Sequence, residues 1–247
     1  MADEYPGASD LAEMLASCSP GQRCLSGACP ECTRALQRWT VSNVKTVIRN
    51  PPFPMEAIVA ISVVFPDGRT SIDRLDRLAF DELIGNLFET FAEALVRWAA
   101  LAIDISLNDD SAKGFVPGFQ LQLYGTASTR SRQRLSKRLC EKYRPSPCVS
   151  KAIQIKHSDE SRRAISYTFK VGFVRRVSYW GKRHSDDGQI HNCWHTRKVS
   201  LRAREEVVLR LWLHKISLAE RIRLYNLDAT MSYGKLRLSF RRFGGGT

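Results

Sequence analysis

No apolar run in this 247-residue chain approaches the ~20 residues that a membrane-spanning helix needs, so no membrane partner is expected. No N-terminal stretch has the apolar core of a signal peptide, which makes a reducing cytoplasm the expected location. Acidic side chains are scarce in the second half. Residues 130–247 hold 9 Asp/Glu against 28 Lys/Arg, a net of +19, whereas residues 1–129 hold 16 against 10, a net of −6. Solubility alone does not require so basic a half. It implies a polyanionic partner, most simply nucleic acid. An anionic membrane surface fits less well, because the charge is spread over several elements rather than one amphipathic helix.

Cysteine is concentrated instead. Four of the seven fall within fifteen residues, as C-x5-C-x4-C-x2-C: Cys18, Cys24, Cys29 and Cys32. Four thiols at loop-closing spacings suit one tetrahedral ion, and a closed four-thiolate site is the structural form of zinc. Cys29-Pro30-Glu31-Cys32 reads as a knuckle whose amides point at a sulfur, and Gly21 and Gly27 supply turns. Two disulfides would satisfy the same count, and a redox Cys-x-x-Cys is a further alternative. The other cysteines (Cys140, Cys148, Cys193) are scattered and odd in number, and a reducing compartment favours metal.

After the knuckle, Val41–Ile48 reads as helix or strand, and Pro51, Pro52 and Pro54 break the chain. Ala57–Phe65 (AIVAISVVF) is apolar and β-branched, the pattern of a strand buried on both faces, closed by a turn at Pro66-Asp67-Gly68. Phe80–Ala100 reads as a helix, with Phe80, Ile84, Leu87, Phe91, Leu95 and Trp98 at three- and four-residue steps. Ala102–Leu107 and Phe119–Tyr124 read as a strand pair, the second placing Gln120, Gln122 and Tyr124 on one face. Thr129–Tyr143 reads as a basic helix bearing Arg130, Arg132, Arg134, Lys137 and Arg138. Ala152–Lys156 is a short strand, and Asp159 caps a helix expected over Glu160–Val177 with Arg162, Arg163, Lys170, Arg175 and Arg176. The expected fold is α+β: a split βαβ, RRM-like antiparallel sheet with helices on one face, leaving the other face free for single-stranded nucleic acid.

Tyr179–Thr196 reads as a polar loop. Its His184, His191, Cys193 and His195 invite a second metal site, though alternate positions on one segment rarely close on an ion. Leu201–Leu227 reads as two helical segments, and Lys235–Arg242 as a basic tail ending in glycines. Three segments are expected: 1–50 as knuckle and lead-in, 51–180 as the α+β domain, and 181–247 as a basic helical extension.

The knuckle, the AIVAISVVF strand, the strand pair and a helix carrying Tyr-x-x-Lys together resemble the rolling-circle replication initiators of the HUH endonuclease superfamily. The resemblance covers Cys18 to Arg176 and implies an HUH-like sheet. In that family a strand carries His-hydrophobe-His after a proline, and the pair binds Mg²⁺ or Mn²⁺ at the scissile phosphate. Here the matching segment is Val116-Pro117-Gly118-Phe119-Gln120-Leu121, with Gly118 and Gln120 at the two histidine positions. The family's nucleophile is a tyrosine near a lysine, matched in style by Tyr167 and Lys170. The resemblance implies a nucleic-acid-binding protein, for single-stranded or origin DNA rather than RNA, without efficient nicking. An active nickase using Tyr167, an RNA-binding regulator and a zinc-organised protein adaptor are the other readings.

Overall fold

The computed structural model describes residues 5–50, 57–158, 161–169, 172–184, 189–232 and 235–241. Asp159, Glu160, Lys170 and the last six residues fall outside these, as do the side chains of Arg162 and His184. The fold is α+β, a mixed sheet packed with helices, with the cysteine cluster near the N-terminus.

Strand β1 (Ala57–Ser71) lies between β3 (Gly118–Thr129) and β4 (Ile153–His157), antiparallel to both. Strand β2 (Val96–Asp109) pairs antiparallel with β3 along its length, so the expected strand pair is present but longer. The order across the sheet is β4-β1-β3-β2. Helix α3 (Phe80–Glu93) joins β1 to β2, and α4 (Arg132–Lys142) joins β3 to β4. Pro66-Asp67-Gly68 does not end β1; it forms an irregularity between Val64 and Arg69, after which pairing to β3 resumes.

The outer edge of β2 is shared. Its last residues pair in parallel with β5 (Val174–His184), and Ala99–Ala102 pair antiparallel with the short β7 (Ile222–Tyr225). β5 forms a hairpin with β6 (Ile190–Val199). The expected polar loop at 179–196 is therefore an antiparallel ribbon. Its alternation was hidden because both faces carry polar side chains.

One sheet face meets α3, α4 and α6 (Ala203–Lys215) around Ile61, Val63, Leu101, Ile103, Leu121 and Leu123. The opposite face is not free, contrary to expectation. Helices α2 (Pro30–Arg49) and α5 (Arg162–Thr168) and a second hairpin, β8 (Leu227–Ser232) with β9 (Lys235–Phe240), cover half of it. Val41, Val44 and Val47 of α2 pack there with Ile58, Trp98, Ile165, Leu227 and Leu238. The C-terminal extension is thus mostly strands, and it shares this core with the N-terminal fifty residues.

The helix expected over 80–100 stops at Glu93. Leu95 adopts the left-handed conformation, φ 57°, and its N–H bonds to Ala92 O at 3.1 Å. The chain reverses there, so Leu95 is exposed and Trp98 belongs to β2 on the opposite face from α3. A left-handed Leu costs about 1–2 kcal/mol, and glycine has no such penalty. Leu95→Gly is expected to stabilise the fold by roughly 0.5–1 kcal/mol, read as a higher urea midpoint at unchanged slope. An unchanged or lower midpoint would show that the Leu95 side chain contributes more than its backbone costs.

Candidate functional site

Two sites stand out. The first is the cysteine cluster. All four sulfurs lie within 4.8 Å of one another. Cys18 Sγ is 3.5 Å and Cys24 Sγ 3.7 Å from Cys32 Sγ. A disulfide needs about 2.05 Å. The edge of a tetrahedron with metal–sulfur bonds of about 2.3 Å is roughly 3.8 Å. The spacing fits an ion held by four thiolates, and these four can hold one.

The local fold explains the convergence. Cys29 is the N-cap of α2, with Pro30 in the first turn, and its Sγ accepts the Cys32 N–H at 3.5 Å. That bond is the knuckle expected from the sequence. Burial pushes the Cys29 thiol up to about 12 and raises Cys24 as well, whereas a backbone hydrogen bond from Cys24 holds Cys18 down to about 7. The loop docks on the C-terminal part of the chain. The Arg221 guanidinium, buried, donates to Gly27 O at 3.2 Å and Thr33 Oγ1 at 2.8 Å. Arg210 reaches Ala28 O at 3.1 Å. Gly27 sits so close that an added Cβ would stand 2.3 Å from Leu213 O.

The second site is the uncovered half of the sheet's second face. Successive cross-strand rows run Gln154–Ser62–Tyr124, then Gln122–Asp104, then Gln120–Ser106. These side chains replace the apolar residues that meet α2 further along the same strands. A cavity of about 470 Å³ lies over the first row, walled by Tyr124, Lys156, His157, Arg163 and Tyr167. Another, of about 260 Å³, lies over the later rows, walled by Ser106, Asn108, Gln120, Gln122 and Arg176, with Lys113 and Lys151 beside them. Asp104 and Gln122 hydrogen-bond to each other. Asp110, in the wall, is held by Arg69, Lys113 and Ser178.

Tyr167 is 61% exposed and meets Tyr124 edge to face, with ring centroids 6.4 Å apart. Gln37 Nε2 donates to Ser166 O at 3.0 Å and fixes α5 against α2. At the two positions where the initiators carry histidine, Gly118 abuts the Thr70 backbone, and Gln120 is buried with its Nε2 donating to Phe65 O at 2.6 Å. Among the described residues, the cysteine cluster is the one group of three or more His, Cys, Asp or Glu placed to hold an ion. His191, Cys193 and His195 share a face of β6, where Cys193 Sγ and His195 Nε2 are 3.5 Å apart, but the three do not converge.

The basic residues expected to act together are dispersed. Val174–His184 is strand, so Arg175 and Arg176 point to opposite sides. Arg175 is buried between Asp109 and Glu205, 2.7 Å from the latter, and is not available to a ligand; this corrects its expected role. Arg176 faces the groove. On α4, Arg134 donates to Glu93 O at 2.8 Å, Arg132 to Ile155 O at 3.1 Å, and Lys137 and Arg138 pair with Glu141. Since Leu135 and Leu139 of α4 pack under the first face, that helix lies away from the groove; Arg130 is exposed just before it. Among the described side chains of the expected set, Arg163 and Arg176 line the groove. Lys113, Lys151, Lys156 and His157 were missed, although the alternation around Gln120, Gln122 and Tyr124 marked the face they surround.

No helix among the described residues is long and apolar enough to cross a membrane. No protein-family model matches the chain, and neither a curated protein nor a solved structure matches it significantly.

Proposed function

We propose that this is a nucleic-acid-binding protein of the rolling-circle-initiator type. It holds a single strand in the groove on the second sheet face and carries one structural Zn²⁺ on Cys18, Cys24, Cys29 and Cys32. The observation that carries the reading is the groove itself. A hydrogen-bonding floor is edged by Lys113, Lys151, Lys156, Arg163 and Arg176, with Tyr124 and Tyr167 at one end. Cations along the rim suit phosphates, and the two rings offer surfaces to unpaired bases. The strand order β4-β1-β3-β2, with α3 and α4 as the two crossings, is the one a split βαβ pattern generates. The exposed Tyr167 stands beside the groove, within the wall that a bound strand would touch, which supports the likeness to the initiators' tyrosine drawn from the sequence. Gly118 and Gln120 offer no imidazole there, so the groove binds a strand without efficient cutting.

Replacing Lys156, Arg163 and Arg176 together by Ala is expected to weaken binding of a 20-nucleotide single strand at least about tenfold near 0.15 M salt. The slope of log K against log salt should also flatten by about 2, at ~0.7 per phosphate contact. Lys137→Ala/Arg138→Ala on α4 should leave both unchanged. Equal binding by the triple variant would remove the proposal. The same mixtures, run with Mn²⁺ on a denaturing gel, test the nickase reading. A covalent adduct that disappears in Tyr167→Phe would restore it.

A further inference from the structure

The β5–β6 ribbon leaves the sheet after Val177, and beyond that point its two strands pair only with each other among the described residues. One face of it continues the groove. Arg176, Ser178 and Thr196 line the groove wall, and the next pair outward on that face is Trp180 opposite Trp194. Both indoles are open to solvent, at 57% and 41%. Their rings meet edge to face at 5.2 Å, which leaves flat surface uncovered. Lys113, also in the groove wall, holds its ammonium 5.4 Å from the Trp194 ring centre. The described residues of the two strands contain no carboxylate, and Lys182 and Lys198 share the indole face. Two exposed tryptophans flanked by cations are costly on a free surface and complementary to unpaired bases on a phosphate chain.

We infer that the ribbon is a base-stacking platform: Trp180 and Trp194 take unpaired bases of the strand whose phosphates run past Lys113 and Arg176. The inference rests on the nucleic-acid reading above and adds to it the path of the strand and a base-dependent contact. Because stacking uses the π face common to all bases, the contact is tolerant of sequence and of the sugar.

The test measures binding of the full chain to three fluorescent 20-mers: oligo(dT), oligo(rU) and an abasic strand with the same phosphates. Wild type should bind both base-bearing strands at least about tenfold more tightly than the abasic one. Trp180→Leu/Trp194→Leu should remove most of that difference for oligo(dT) and oligo(rU) without changing abasic affinity, the remainder being carried by Tyr124 and Tyr167. Trp180→Phe/Trp194→Phe should retain most of the difference. The unchanged abasic affinity also shows that the Leu variant is folded, and the wild-type comparison needs no variant at all. Equal wild-type affinity for base-bearing and abasic strands would overturn the platform and leave the phosphate groove standing. So would full base-dependent binding by the Leu variant. A strong preference for one sugar would overturn its tolerance. If none of the three strands binds, the nucleic-acid reading fails together with the platform, and the indoles belong to a protein contact.

Discussion

Arg175→Met is expected to cost about 3–5 kcal/mol, a large part of the 5–15 kcal/mol that holds a typical domain. Arg175 lies where β5 meets β2, 5% exposed, with Glu205 2.7 Å from one arm of its guanidinium and Asp109 at the other. Glu205 is itself buried and fixes the start of α6 by accepting the Arg202 N–H at 2.8 Å. Removing the cation leaves one fully buried carboxylate, and a second that is mostly so, without a counter-ion. That loss is the costly change, rather than loss of a favourable pair. Arg175→Met/Glu205→Gln should recover part of the loss, because glutamine keeps an acceptor for the Arg202 N–H without the buried charge. Acid unfolding gives a second reading. Hydrogen bonding from Arg175 holds Asp109 down to about 2 from an ordinary 3.8. A carboxyl lowered on folding stabilises above its unfolded pKa and loses that contribution as pH falls through its folded one. Wild-type stability should therefore decline between about pH 4 and 2, and this limb should flatten in Arg175→Met. An unfolding free energy within about 0.5 kcal/mol of wild type would show that the pair is incidental.

The purified chain should carry one zinc, and stripping it should lower the melting temperature by about 10 °C. An ion at a thousand times its dissociation constant contributes about 4 kcal/mol, and each kcal/mol moves the melting point of a chain this size by roughly 2–4 °C. Cys32→Ala should abolish metal retention and mimic chelation, because Cys32 Sγ lies 3.5 Å from Cys18 Sγ and 3.7 Å from Cys24 Sγ and its loss leaves three thiols. Binding must displace protons, most of all from Cys29, whose burial holds its thiol up to about 12. Retention against a chelator should therefore weaken as pH falls, and be poorer at pH 6 than at pH 8. No bound metal, together with a melting point indifferent to chelation, would refute the zinc assignment.

The cysteine cluster was legible because its information is local. Four residues of one type, a proline and two glycines specify a knuckle whatever surrounds them. The β1, α3, β2, β3, α4, β4 order was legible for a similar reason, since each element carries its own period. What failed depends on distant partners. Leu95 and Trp98 continue the apolar rhythm of α3, yet the chain turns at Leu95 and delivers Trp98 to a core built from α2 and the C-terminal hairpin. Arg175 looks like any cation in a basic run, and only the arrival of α6 and the end of β2 makes it an internal ion pair. The outer ribbon had no buried face to betray it: Tyr179 and Trp180 are consecutive and point to opposite faces, so aromatic and polar side chains are mixed on both, and all three rings, Trp194 included, are exposed. In the second half of the chain, charge dominates composition and masks the alternation by which strands are read.

The docking of the cysteine loop also sets an order of events during synthesis. Thr33 and its partner Arg221 lie 188 residues apart. The four cysteines all emerge while the nascent chain is still short, but the arginines that seat their loop emerge late. Until then the apolar stripe of α2 waits for Leu227 and Leu238, which come later still. Such long-range closure slows folding. A ribosome stalled before Arg221 would display an unseated cysteine loop beside an unsatisfied valine stripe, a natural hold point for a chaperone and an early target for proteolysis.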